Sequence, residues 1–471
     1  MNDKNSSTPG DMKAGELALL ADADRRASNY LRSVESRRVF PTPDAIAALS
    51  AFEEPLPEQG TPAAETLALL DDAGSPATVT SNGPRYFGFV VGASLPGAAA
   101  AERLMTAWDQ GAPLAMASPV SAKIEAVAGN WLLDVLDLPR DSAVGFGTSA
   151  TACGLGCLAA ARRALLKRAG WDIDTNGLNG APEIRVVVSA KIHVVIQKAL
   201  RVLGFGAAQI VQAPTDPFGR VDPQRLPPLN ALTILCLQAG EVNTGEFDPF
   251  SSIIPKAHLQ GAWVHVDGAF GLWARASKAR RYLTDGIEAA DSWTTDGHKW
   301  LNTPYDCAVS ICRDPDALAE TLSSDAVYAT GSRFSQKNLT LEFSRRPRGI
   351  TIWAALRTLG RRGVAEMVDR HCAQATRLAD GLRDAGFEIL NRVVLNQVLV
   401  RGKDDAETAS IRQGVESSGE AWFGPAVWDG RPAFRLSVSS WRTEALDIER
   451  TIDLLRRVRD ERAAEGHQRG G

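Results

Sequence analysis

Cysteine is scarce: only six occur in 471 residues, and Cys153, Cys157, Cys236, Cys307, Cys312 and Cys372 include no CxxC pair. That excludes a disulfide scaffold and reads as reduced thiols in cytoplasm. Neither charge sign dominates, with 52 Lys and Arg against 56 Asp and Glu and a net charge of −4. Such a balance offers no basic field to a nucleic-acid backbone. Long hydrophobic runs are also missing. The longest uncharged stretch, Tyr86 to Ala101, is broken by Pro96 and falls short of the ~20 residues of a membrane helix. The start, MNDKNSSTPGDMK, has no apolar segment behind basic residues, so no secretory leader is expected. No internal repeat or low-complexity block occurs, which removes solenoids and propellers.

What is present is ordinary globular material, 44% hydrophobic and 23% charged, long enough for two or three domains. Leu17, Leu19, Leu20, Tyr30 and Leu31 lie among charged residues and predict a helix that needs a partner surface. The proline-rich stretch Phe40 to Thr61 reads as extended connector. From about Ala143, short β-branched runs alternate with helical segments: Ile184–Ser189, Leu232–Leu237, Ala262–Val266, Ser292–Thr294 and Cys307–Cys312. That is the pattern of an α/β protein with a mostly parallel sheet covered on both faces. After Arg346, a long helical pattern (Ile350 to Leu382), strand-like runs and a final helix predict a smaller α+β domain. The expected division is an N-terminal helical arm (1–80), a large domain (81–348) and a small domain (349–471).

The chemistry-bearing residues fall at strand ends. Asp267 closes the buried run VHVD, and Lys299 follows the next strand in DSWTTDGHKW. In a parallel sheet both arrive at one carboxyl edge, where ligands bind, and leaving either buried charge unpartnered costs several kcal/mol. Taken singly, Asp267 could be a loop-capping acid and Lys299 a surface lysine. As a pair they suit pyridoxal phosphate: an amine for its aldehyde and a carboxylate for its pyridine nitrogen. The run GFGTSATACGLG could cradle the phosphate, with Gly145 and Gly147 in a turn, hydroxyls from Thr148, Ser149 and Thr151, and a helix starting near Ala150. A dinucleotide fingerprint GxGxxG fails because position 150 is Ala150. Small residues here would equally serve helix packing. His193, after IRVVVS, could stack on a flat ring or simply cap a helix, and His298 could donate to phosphate or to a neighbouring side chain. Gly268 and Ala269 leave room for a ring against the backbone. His265 and Asp267 offer two metal-ligand types, but no third or fourth ligand has suitable spacing, so no metal is expected. Arg345, Arg346 and Arg348 form either a carboxylate-binding cluster or a solvated basic turn.

These motifs resemble the group II pyridoxal-phosphate-dependent decarboxylases, which include aromatic-L-amino-acid and glutamate decarboxylases, within fold type I. The likeness is carried by WVHVDGAFG and ADSWTTDGHKWLNTPYDC, with support from GPRYFGFV, SPVSAKIEAVAGNWLLDVLDLP, the His193 segment and QAGEVNTGEFDPF. It implies Lys299 as the aldimine lysine, Asp267 as the pyridinium acid, Ala269 as the small residue under the ring and His193 as the stacking base. His298 and the loop Ser149, Ala150, Thr151, Ala152 become phosphate contacts. Two departures stand out: Ala152 and Cys153 replace a hydroxyl residue and Glu, and Asp296, counted among the cofactor-binding residues, replaces the usual Asn two before the His. The resemblance also implies a homodimer in which a loop, here Tyr328 to Asn338, closes over the neighbouring active site. Where aromatic decarboxylases carry a loop tyrosine, Gln336 or Phe334 stands. The expected activity is decarboxylation of an L-amino acid, with Tyr86, Phe87, Phe89 and Trp108 as candidate lining for an apolar side chain. Oxidative decarboxylation-deamination, Cα–Cβ cleavage and a non-catalytic cofactor-binding role are the alternatives.

Overall fold

A computed structural model describes residues 9–324 and 331–469. Its centre is a seven-stranded sheet ordered β1-β7-β6-β5-β4-β2-β3. The strands are β1 (Ala143–Gly147), β2 (Arg185–Ser189), β3 (Ile210–Ala213), β4 (Thr233–Gln238), β5 (Trp263–Asp267), β6 (Ser292–Asp296) and β7 (Ala308–Cys312). β2 to β6 are parallel, whereas β7 runs antiparallel to both β6 and β1. Alternate residues of these strands feed two separate cores. Val187, Leu235, Leu237, Val264 and Val266 belong to one, and Val186, Val188, Ile234, Cys236 and Trp263 to the other. Apolar side chains on both faces are why the strands read as unbroken hydrophobic runs.

A second, four-stranded antiparallel sheet is ordered β10-β11-β9-β8 and built from β8 (Glu388–Ile389), β9 (Gln397–Arg401), β10 (Gly424–Trp428) and β11 (Arg431–Ser437). Helices Gly349–Asp384, Asp405–Ser418 and Ala445–Arg469 cover it, and its core takes in Phe87 from the first half of the chain. The long helix breaks its geometry at Gly360, with φ 61° and ψ 176°.

Three sequence expectations need correction. The stretch 40–61 is not wholly extended: Pro43–Ala47 is α-helical and Ala48–Phe52 is a 3₁₀ helix, because Thr42 accepts the Ala45 N–H as an N-cap and Pro43 fits the first turn. Strands β1 and β3 were not among the expected runs. Two of the five residues of β1 are glycine, which mimics a loop, yet pairing with β7 fixes it as an edge strand.

Candidate active site

The site assembles where β2, β4, β5 and β6 end. Asp267 is paired in register with Gln238 of β4 and Thr294 of β6, so the strand ends alone bring the 267 and 299 segments together. A cleft of about 270 Å³ opens there. It is lined by Ser149, Ala150, Thr151, His193, Asp267, Ala269, Asp296, His298 and Lys299, joined by Phe89, Gln238, Tyr305 and Arg435 among others. Of the ten residues expected to bind the cofactor, nine line this cleft and Ala152 does not. Each helical residue is turned about 100° from the last, and Ala152 instead borders a small hollow with Cys153 and Gly156, its N–H donating to Ser149 Oγ at 3.3 Å.

Ser149 is the N-cap of helix Ala150–Arg168, whose start therefore faces the cleft. The Ala150 N–H donates to Asp296 Oδ1 at 2.8 Å. The other carboxylate oxygen of Asp296 lies 3.0 Å from Lys299 Nζ, and His298 Nε2 lies 3.8 Å from Asp296 Oδ1. Because His298 Nδ1 accepts the Cys307 N–H at 3.1 Å, its proton sits on Nε2, aimed into the site. Tyr305 stacks on the same imidazole with ring centroids 4.3 Å apart. Burial pulls the His298 imidazole below its ordinary value.

His193 caps its own helix, Nδ1 accepting the Val195 N–H at 3.4 Å. Its backbone N–H donates to Gln238 Oε1 at 3.2 Å. Burial lowers its pKa, opposed by Asp267, so near neutral pH the ring is uncharged and suited to lie against another flat ring. Asp267 is almost fully buried. One oxygen accepts the Ala269 N–H at 3.1 Å, and among the described residues no cation forms an ion pair with it, since Lys299 is taken by Asp296. Burial raises the Asp267 carboxyl, with Lys299 and His193 working against the rise.

The chain matches the pyridoxal-dependent decarboxylase conserved domain over residues 52–403. It belongs to that family. Tryptophan decarboxylase 1 of Oryza sativa subsp. japonica is 27% identical, over 92% of this chain and 91% of the relative. L-2,4-diaminobutyrate decarboxylase of Rhizobium meliloti is also 27% identical, over 85% of this chain and 83% of that protein. The crystal structure of Oryza sativa TDC with PLP and tryptamine superposes with a TM-score of 0.87 at 24% identity, covering 98% of this chain and 99% of that one. The fold is thus fold type I, the cofactor is pyridoxal phosphate, and the enzyme is a pyridoxal-phosphate-dependent carboxy-lyase.

The cleft of this decarboxylase fits the cofactor on its own terms. Asp267 is a buried carboxylate with no ion-pair partner among the described residues, and a protonated pyridine nitrogen would supply one. Gln238 Nε2 is a buried donor without an acceptor at the same edge, which a polar ring substituent would satisfy. A larger cavity, about 430 Å³, lies against β1, and among the described residues its lining contains no lysine or histidine.

Gln238 and Arg435 escaped the sequence reading. Gln238 ends β4 as Asp267 ends β5, a signal that was available. Arg435 comes from β11 of the second sheet and donates from Nη1 to Val242 O at 2.6 Å; a lone arginine in the apolar run AFRLSV was its only mark. Burial lowers its pKa and Glu241 offsets this in part.

Other expected lining residues lie elsewhere. Only Phe89 of the four aromatics reaches the cleft. Tyr86 stacks on Trp422 at 5.2 Å, Phe87 sits in the second-sheet core, and Trp108 ends helix Pro96–Trp108 outside the cleft. The arginine cluster does not reach it either: Arg345 pairs with buried Glu125, Arg346 with Glu102 and Arg348 with Asp306. Tyr328 lies outside the described residues, as do 325–330. Gln336 is bound to the outer edge of β1, its Nε2 donating to Val144 O at 2.8 Å and its Oε1 accepting the Phe146 N–H at 3.0 Å. Phe334 is half-exposed beside the larger cavity.

Proposed function

We propose that this carboxy-lyase converts an aromatic L-amino acid to its amine, with Lys299, Asp267 and His193 as catalytic residues. The observation that carries the reading is the buried Asp267, without an ion-pair partner among the described residues, in the same cleft as Lys299. When bound, pyridoxal phosphate supplies an aldehyde for amine exchange and a ring that accepts electrons. Lys299 would hold the cofactor and surrender it to the substrate amine. Asp267 would keep a proton on the ring nitrogen, His193 would lie over one ring face, and Ala269 leaves the other open. Ser149, Thr151 and His298 Nε2–H would hold the phosphate. Arg435 lines the cleft and would orient the substrate carboxylate, while Phe89 and Tyr305 would offer apolar contact to an aromatic side chain, in keeping with the relative named as a tryptophan decarboxylase. Orientation of this kind contributes by restricting the substrate to one reactive geometry.

The same proposal takes the chain as a homodimer, with 1–80 as the dimerising arm, 81–348 holding the cofactor and 349–471 closing the cleft. Leu17, Leu20, Leu31 and Leu56 are exposed on that arm, an apolar surface that a second copy would cover. Six buried, unbridged thiols support a cytoplasmic location, and among the described residues no helix is long and apolar enough to cross a membrane.

The test is a panel of amino acids scored for carbon dioxide and for the organic product. Amine as the main product from tryptophan, tyrosine or phenylalanine supports the reading. Aldehyde with ammonia, or preference for a charged substrate, would replace it.

A further inference from the structure

We infer that Asp296 is an internal anion competing with the cofactor phosphate, so that it sets how readily this protein gains and loses its cofactor. The inference rests on the site read above. Three groups that attract negative charge converge on one point: the N-terminus of helix Ala150–Arg168, the Lys299 ammonium and the His298 Nε2–H. Asp296 occupies that point. Its carboxylate accepts the Ala150 N–H at 2.8 Å, lies 3.0 Å from Lys299 Nζ and 3.8 Å from His298 Nε2. It is almost fully buried yet lines the cleft.

A phosphate seated on Ser149, Thr151 and His298 therefore meets a fixed carboxylate, and like charges a few ångströms apart in a buried site repel strongly. The helix N–H that would serve the phosphate is already engaged. The ion pair to Lys299 must also be given up when that amine meets the aldehyde. Both effects oppose cofactor retention, and both leave the empty site well ordered, since its donors already have an acceptor. Occupancy would then follow the surrounding cofactor concentration.

Asp296→Asn separates charge from geometry, because an amide oxygen still accepts the Ala150 N–H. Affinity is read by quenching of tryptophan fluorescence on titrating apoprotein with pyridoxal phosphate and, separately, with pyridoxal, which lacks the phosphate. The expected result is a Kd for pyridoxal phosphate about tenfold lower or more in the variant, with a much smaller change for pyridoxal and tighter binding of inorganic phosphate as a competitor. Asp296→Ser, also uncharged, should move the same way, which covers a folding failure in either variant. Equal tightening for both aldehydes would place the effect on Lys299 alone and overturn the inference, as would weaker binding of pyridoxal phosphate in both variants. Failure of the wild-type protein to bind pyridoxal phosphate at all would instead overturn the site assignment.

Discussion

Lys299 and Asp267 were legible in the sequence because each follows a buried strand, and the sheet order then makes neighbours of residues far apart in the chain. Their chemistry gives distinguishable losses. Lys299→Ala removes the amine proposed to capture the cofactor, so turnover should fall about a thousandfold or more, and borohydride treatment should label no peptide at that position. Asp267→Asn keeps the shape but not the charge. Since each unit of ring-nitrogen pKa corresponds to about tenfold, kcat should drop about a hundredfold while pyridoxal phosphate still binds, checked by steady-state kinetics beside an absorbance titration. Other residues were illegible for a physical reason. Gln238 and Arg435 acquire a role only from what lies across the cleft, and Asp296 looks like any strand-end acid until the helix N-terminus, Lys299 and His298 are seen around it.

At the scale of elements, hydrophobic runs with both faces buried identified five strands, whereas β1 was hidden by its glycines and β3 by its partial burial. The long helix Gly349–Asp384 was also legible, but its break was not. Gly360 has a backbone geometry that side-chain-bearing residues rarely adopt, and a Cβ there would touch nothing within 4 Å. Gly360→Ala should therefore destabilise through the backbone alone, by about 1–3 kcal/mol, measured as a lowered thermal midpoint with unchanged cofactor affinity. The same helix carries His371, which joins it to the turn that follows Lys299: Nδ1 accepts Trp300 Nε1–H at 2.8 Å and Nε2 donates to Ser440 O at 3.0 Å. Burial pulls its pKa from 6.5 down to about 3. The unfolded chain takes up a proton below pH 6.5 that the folded chain refuses. This contribution is complete above pH 6.5 and is lost by about 1.4 kcal/mol per pH unit as pH falls from 6.5 toward 3. Denaturant melts across that window should show the slope, and His371→Gln should flatten it by about that amount; an unchanged slope would remove His371 as its source.

Across the whole molecule, the cleft belongs to two sheets rather than one. The seven-stranded sheet presents Asp267, Lys299 and His193, while β11 of the four-stranded sheet presents Arg435, held by its bond to Val242 O. Asn302 ties the two halves together, its Nδ2 donating to Ser439 O at 2.9 Å and its Oδ1 accepting the Trp441 N–H at 2.9 Å. On the proposed reading, cofactor capture and substrate orientation fall to different parts of the chain and can be separated. Arg435→Met keeps much of the side-chain volume and removes the charge. A hydrogen-bonded pair between a guanidinium and a substrate carboxylate contributes about 1.5–3 kcal/mol, so KM for the amino acid should rise about tenfold to a hundredfold. The Kd of pyridoxal phosphate should stay near the wild-type value, because none of the proposed phosphate or ring contacts comes from β11. The amine analogue of the substrate, which lacks the carboxylate, should bind wild type and variant alike. If Arg435→Met instead weakened both ligands together, β11 would act by holding the second sheet against the first, and the carboxylate would have to find its partner elsewhere in the cleft.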